Sequence, residues 1–150
     1  MTSADPGANQ DPTIQPRNIH FGFDGELPVN WHSGDPAISH FYDALSLTFP
    51  DGERFFIESV RRFADRITDP DLQRDIQAFC TQESIHSREH RSYNHLITAH
   101  GIPIEGIERF ITKALRVSER WIPAKSCLAA TCAYEHFTAL FAEAILGDAR

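Results

Sequence analysis

Cysteine is scarce in this chain, and its spacing builds no site. Cys80, Cys127 and Cys132 include no C-x-x-C pair. That excludes a disulfide framework or a zinc knuckle and leaves reduced thiols as the expectation. No run approaches the roughly 18 consecutive apolar residues of a membrane-crossing helix. The N-terminal MTSADPGANQDPTIQP has neither the basic nor the apolar stretch of a signal peptide. Together these absences predict a cytoplasmic protein with no membrane span. Basic charge is also in deficit: 14 Lys and Arg against 21 Asp and Glu give a net charge of -7. That balance speaks against a nucleic-acid partner. Gly52, Gly101 and Gly106 are isolated, so no phosphate loop forms, and Ser84 and Ser87 lack the glycine elbow of a serine nucleophile.

What the sequence does contain is helix. A chain of 150 residues fits one domain. Residues 1–16 are polar and rich in Pro, Gly and Asp, the composition of a disordered arm. Residues 17–150 are read as a helical metal-binding domain. In it, 17–34 place aromatics between turn residues, which predicts an irregular segment packed on the body. Asp35-Pro36 supplies an N-cap and a proline at the first helical position. The first helix is expected to reach about Phe49, to break or kink at Pro50-Asp51-Gly52, and to resume to about Ile67. Asp69-Pro70 starts a second helix running to His100, with Gly101 as its stop. A third is expected over Ile104–Arg120. A fourth opens at Pro123 and ends near Leu146. Trp31, His32 and Trp121 read as packing residues at segment ends, and Cys80 as a packing residue.

Charged groups stand where apolar ones belong. Leu72, Ile76, Phe79, Glu83, His86, His90 and Ile97 follow the spacing of one helix face, yet three central members are ionisable. Cys80 and Asn94 lie beside that stripe. Phe49, Glu53, Phe56, Val60, Phe63 and Ile67 form a second stripe with Glu53 inside it. Leu128, Cys132, Glu135, Ala139, Ala142 and Leu146 form a third around Glu135. The other faces of that last helix carry Phe137, Leu140, Phe141 and Ile145, so it is expected to be largely buried. Unpaired carboxylates are costly to bury. The nearby cations Arg54, Arg61 and Arg88 are off the stripes. A divalent cation is the economical compensation, and Glu83-x-x-His86 puts two ligand types one turn apart.

The stretches SLTFPDGERFF, FCTQESIHSREHRSYN and AYEHFTAL resemble the family of predicted metal-dependent hydrolases over most of residues 17–146. The same residues resemble the ferritin-like di-iron scheme, in which a Glu, an E-x-x-H, a Glu and a second E-x-x-H lie on four long helices. The resemblance implies an all-α, ferritin-like helical bundle with Glu53, Glu83, His86 and Glu135 as metal ligands. It implies iron as the metal, with manganese or zinc as alternatives. No second E-x-x-H follows Glu135, so the bundle is expected to lack its fourth ligand-bearing helix. His90 or His136 would then substitute as ligands, or His90 would support the ligands from behind; His136 points about 100° away from Glu135 on the helix.

Several chemistries stay open on these residues. Metal-dependent hydrolysis and di-iron oxygen activation both suit the donors. His86-Ser87-Arg88-Glu89-His90 also spells H-x-x-E-H, a zinc hydrolase pattern with Glu89 as base. A non-catalytic, truncated helical module is the reading from another class. The substrate is expected to be a small molecule of unspecified chemistry. The uncovered apolar helix faces predict self-association.

Overall fold

In a computed structural model the chain is all-α, with no strand among the described residues, 14–23 and 27–147. Most of the expected N-terminal arm, residues 1–13, lies outside them. Four helices follow in order: α1 Pro36–Ala64, α2 Pro70–Ala99, α3 Glu105–Trp121 and α4 Ala124–Gly147. The arrangement is a four-helix bundle compatible with a ferritin-like fold. Helices α2, α3 and α4 all pack on α1, which is the hub. No helix of the described residues is long and apolar enough to cross a membrane.

The helix starts follow from local chemistry. Asp35 accepts hydrogen bonds from the Ala37 and Ile38 amides, and Asp69 does the same for Asp71 and Leu72. Each cap satisfies orphan donors of the first turn, and the proline after it has no N–H to lose. Beyond α2, Gly101 takes φ 79°, and the Ile102 amide reaches back to the Ile97 carbonyl. This is the left-handed stop that glycine permits.

The expected break at Pro50 does not occur. Pro50 is a buried interior residue of one continuous α1, although a mid-helix proline removes a hydrogen bond and costs about 3 kcal/mol. Contacts on both sides of it hold the helix straight through. Before it, Ser46 is tied to α2; after it, Asp51 accepts from Thr112 of α3, and Arg54 pairs with Glu119 of α3 at 3.0 Å. The Ser87 hydroxyl of α2 donates to the Pro50 carbonyl at 3.3 Å. These four contacts outweigh a local turn preference. The helix stops at Ala64, short of the expected Ile67.

The inward lines of the helices differ from the apolar stripes. On α1 the buried line is Ser39, Asp43, Ser46, Pro50 and Glu53, stepping by helical intervals, with Phe49 and Phe56 on its flanks. On α4 it is Cys127 and Thr131, continuing to half-buried Glu135. Cys132 and Leu146 of the expected stripe are exposed. Ser59 of α1 and Thr131 of α4 share a buried hydrogen bond of 2.7 Å that sets this register. Helix α4 is not largely buried, because only its α1-facing side is covered. Phe137, Leu140, Phe141 and Ile145 are exposed. Leu72 and Trp121 are exposed too, against expectation, since each lies near a helix end where no neighbour reaches.

Apolar packing concentrates elsewhere. Leu47, Ile97 and Ile104 form a buried cluster where α1, α2 and the start of α3 meet, flanked by Tyr93, Ile102 and Ile111. The expected irregular N-terminal segment is present. The Arg17 amide donates to Gln82 at 2.8 Å, and Arg88 donates to the Ile19 carbonyl at 2.9 Å. Cys80, Cys127 and Cys132 are free thiols, the first two buried.

Candidate metal centre

Midway along α1 and α2 the polar lines face one another. Glu53 is 1% exposed and belongs to α1; His86, from α2, brings Nδ1 to 2.7 Å from Glu53 Oε1. One turn back, Glu83 Oε2 lies 3.9 Å from the same nitrogen. One turn on, His90 Nε2 lies 3.1 Å from His86 Nε2. Glu53, His86 and His90 each offer a ligand atom, and these atoms lie within 4.8 Å of one another.

Of the five residues singled out from the sequence, these three form the tight group. Glu83 is buried beside them. Glu135, on α4, faces the group closely enough for the charges of Glu83, His86 and Glu53 to act on it. His90 therefore joins the candidate ligands directly, which its spacing left undecided. His136 is exposed and contributes nothing here.

The electrostatics follow from burial. Desolvation raises the Glu53 carboxyl above its ordinary value, although His86 pulls it the other way. Desolvation works against a charged His86 as well. The hydrogen-bonding and Coulomb pull of Glu53 and Glu83 prevails there, carrying its pKa from 6.5 to about 10. Burial, with the charge of His86 added, holds His90 down to about 4. Burial and then the neighbouring Glu83 push Glu135 up to about 7.

The hydrogen bonds around Ser46 orient His90. With the Ser46 hydroxyl proton given to Asn94, Ser46 is an acceptor toward His90 Nδ1, and His90 Nε2 faces His86 Nε2 at 3.1 Å. His90 Nδ1 then donates to Ser46 Oγ at 2.8 Å, and Ser46 donates to Asn94 Oδ1 at 2.7 Å. The chain of donors is complete in one direction. It leaves the His90 Nε2 lone pair aimed into the cluster, as a metal-ligating histidine supported from behind would have it. The Phe49 ring stacks on His90 at 4.3 Å and 3°, restricting the imidazole further.

The donor set fits a cation. Glu53 Oε2 and Glu135 Oε1 are buried with no hydrogen-bond donor, and Glu53 Oε1 has only His86 Nδ1 against it. Buried acceptors are seldom left so. One imidazolium faces three carboxyls, and no Arg or Lys enters: Arg54 is engaged by Asp51, Glu58 and Glu119, and Arg88 by Glu89. The H-x-x-E-H pattern fares unevenly. Its two histidines do meet, but Glu89 is turned to the N-terminal segment. Its carboxylate accepts from the Phe21 amide at 3.0 Å and from Arg88 at 2.8 Å, which hold it below the usual carboxylate range and ill suit it as a base.

Ser46 and Asp43 were missed in the sequence. Their signal was the spacing Ser39, Asp43, Ser46, Pro50, Glu53, a polar line of helical period running beside the apolar stripe. No curated protein and no solved structure matches the chain. A family model described as "Predicted metal-dependent hydrolase" matches residues 15–150, which include every residue of the cluster, and the chain belongs to that family.

Proposed function

We propose that this chain is a metal-dependent enzyme in which Glu53, His86 and His90 hold a divalent cation, with Glu83 and Glu135 completing the site. The observation that carries the reading is the convergence of Glu53, His86 and His90, with ligand atoms within 4.8 Å of one another and the buried Glu135 Oε1 unpaired. Two histidines and one carboxylate suit ferrous iron, with manganese next. A cation held there supplies Lewis-acid polarisation of a substrate oxygen. Glu83 keeps His86 oriented, and Ser46 keeps His90 oriented. In the hydrolytic reading, Glu135 Oε1 accepts the proton of the attacking water. A pKa of about 7 suits that exchange near neutral pH. In the two-cation reading, Glu135 would instead hold a second ion, with Glu83 serving both, as the ferritin-like resemblance implies. The donor chemistry then favours oxygen activation.

Elemental analysis after loading with Fe(II), Mn(II) or Zn(II) tests both. Wild-type protein is expected to retain metal and Glu53→Gln to lose it; equal retention by the two overturns the proposal. Glu135→Gln keeps the full metal content in the one-cation reading and loses part of it in the two-cation reading.

We propose further that the apolar face of α4 drives self-association of this chain. Phe137, Leu140, Phe141 and Leu146 are exposed, and the described helix carries few charges to recruit a charged partner. Sedimentation is expected to show a dimer that Leu140→Lys dissociates. A monodisperse wild-type monomer refutes it.

A further inference from the structure

A cavity of about 490 Å³ opens beside the candidate metal centre, and its chemistry is unlike that of the centre. Phe21, Phe23, Trp31, Tyr42, Phe49 and Tyr93 form its walls, and His86 and His90 stand at its inner end. His86 keeps 42% of its side chain accessible while Glu53 in contact with it keeps 1%. The imidazole edge is therefore reached from this side, and the carboxylate behind it is not. Two larger clefts, of about 590 and 560 Å³, run along α3 among Arg109 and Thr112. Neither touches His86 or His90, so size alone does not choose between them.

The polar atoms in the walls are largely spent. Buried Asp43 accepts from the Tyr93 hydroxyl and from Trp31 Nε1 at 3.3 Å. Ser46 is committed to His90 and Asn94. Glu89 is held by the Phe21 amide and Arg88. Among the described residues no Lys or Arg lines the cavity, so charge on a ligand is met only at the inner end, by His86. Pockets of this size that are mostly apolar recognise the body of a ligand by burial and orient it through a few polar groups. Here those groups are the two imidazoles at the inner end.

From this we infer that the substrate of the centre is a mainly apolar small molecule, its aliphatic or aromatic body in the Phe23–Tyr93 cavity and its single polar, reacting group against His86 and His90. The inference rests on the metal-enzyme reading for the word substrate, and on the cavity alone for the chemical class.

The test uses the full chain without metal first. The neutral fluorophore N-phenyl-1-naphthylamine is bound, then displaced by the primary alcohols from butanol to octanol. Each added methylene is expected to tighten binding by about fourfold, the value for burial of one such group. Leu45→Trp, which fills the cavity, and Phe23→Asp, which charges a wall on the irregular segment, are each expected to weaken octanol at least tenfold. Circular dichroism confirms the fold of each variant, while Phe110→Lys on the exposed face of α3 leaves binding unchanged. Affinity that stays flat along the series, or a loss caused by Phe110→Lys and not by the cavity variants, overturns the inference. Manganese-loaded protein then gives the orientation. The hydroxyl-bearing carbon of bound octanol is expected to show stronger paramagnetic relaxation than its terminal methyl. Equal relaxation along the chain refutes the placement. Failure to take up manganese, with the methylene dependence intact, sinks the metal reading and leaves the apolar site standing.

Discussion

Replacing Glu53 by Gln separates the two things its carboxylate does. In the metal-free protein the exchange removes a buried charge and also removes the partner of His86 at 2.7 Å. Truncating one partner of a fully buried pair costs about 3–5 kcal/mol, because the other charge is stranded. His86 is not stranded in that way. Its side chain is 42% exposed, and without Glu53 its pKa falls from about 10 back toward 6.5, so it sheds its proton. Relief of the Glu53 desolvation offsets the lost contact, and the net change in stability is expected to stay within about 1 kcal/mol. The metal-loaded comparison is different. At a free ion concentration of 100 times Kd, binding stabilises the wild type by about 2.7 kcal/mol. For a chain of this size that is a rise in Tm of about 5–10 °C. The variant should gain almost none of it. Scanning calorimetry of both proteins with and without Mn(II) reads all four states. An equal metal-induced rise in the two proteins, or a metal-free variant that no longer folds, refutes the reasoning.

The pH dependence of the metal-free protein carries a definite sign. His86, raised from 6.5 to about 10, contributes stability that is complete below pH 6.5 and lost as pH rises through about 10. Discounted for exposure, that is a fall of about 1–2 kcal/mol in urea denaturation, absent in Glu53→Gln. Glu135, raised to about 7, contributes stability that is present below pH 4.5 and lost as pH rises through 7. Glu135→Gln should abolish that fall, and an unchanged profile counts against its burial. Ser46→Ala removes the acceptor of His90 Nδ1 and should weaken metal binding about 10–100-fold with helicity retained; calorimetric titration decides, and unchanged affinity sinks the role given to Ser46. Asp43→Ala strands the Tyr93 and Trp31 donors and should cost about 1–3 kcal/mol. Tyr93, whose pKa burial and Asp43 hold up, should then ionise at lower pH by tyrosinate absorbance.

The helices were legible because their ends are written in single residues. Asp35, Asp69 and Gly101 each act through their own backbone neighbourhood, and no distant contact alters that. Glu53, His86 and His90 were legible because a charge inside an apolar stripe violates the pattern that surrounds it. What escaped depends on neighbours far away in sequence. Pro50 stays helical because Ser46, Asp51 and Arg54 are held by α2 and α3, which no local preference reveals. The inward line of α4 follows Thr131, set by its bond to Ser59, and a helix with apolar residues on every side gives no hint of which side that is. Asp43 was missed because two of its three partners, Trp31 and Tyr93, lie 12 and 50 residues away, with only His40 close in sequence.

The parallel stacking of Phe49 on His90 bears on kinetics. An imidazole lying flat against a phenyl ring, with Ser46 gripping one nitrogen, cannot exchange its two ends without leaving the stack. The orientation of the ring is thereby set when the chain has folded, and an arriving ion has no ring rotation to wait for at this position. Capture at His90 should proceed at the pace of diffusion and dehydration, with the slower adjustment confined to its neighbour one turn earlier on α2.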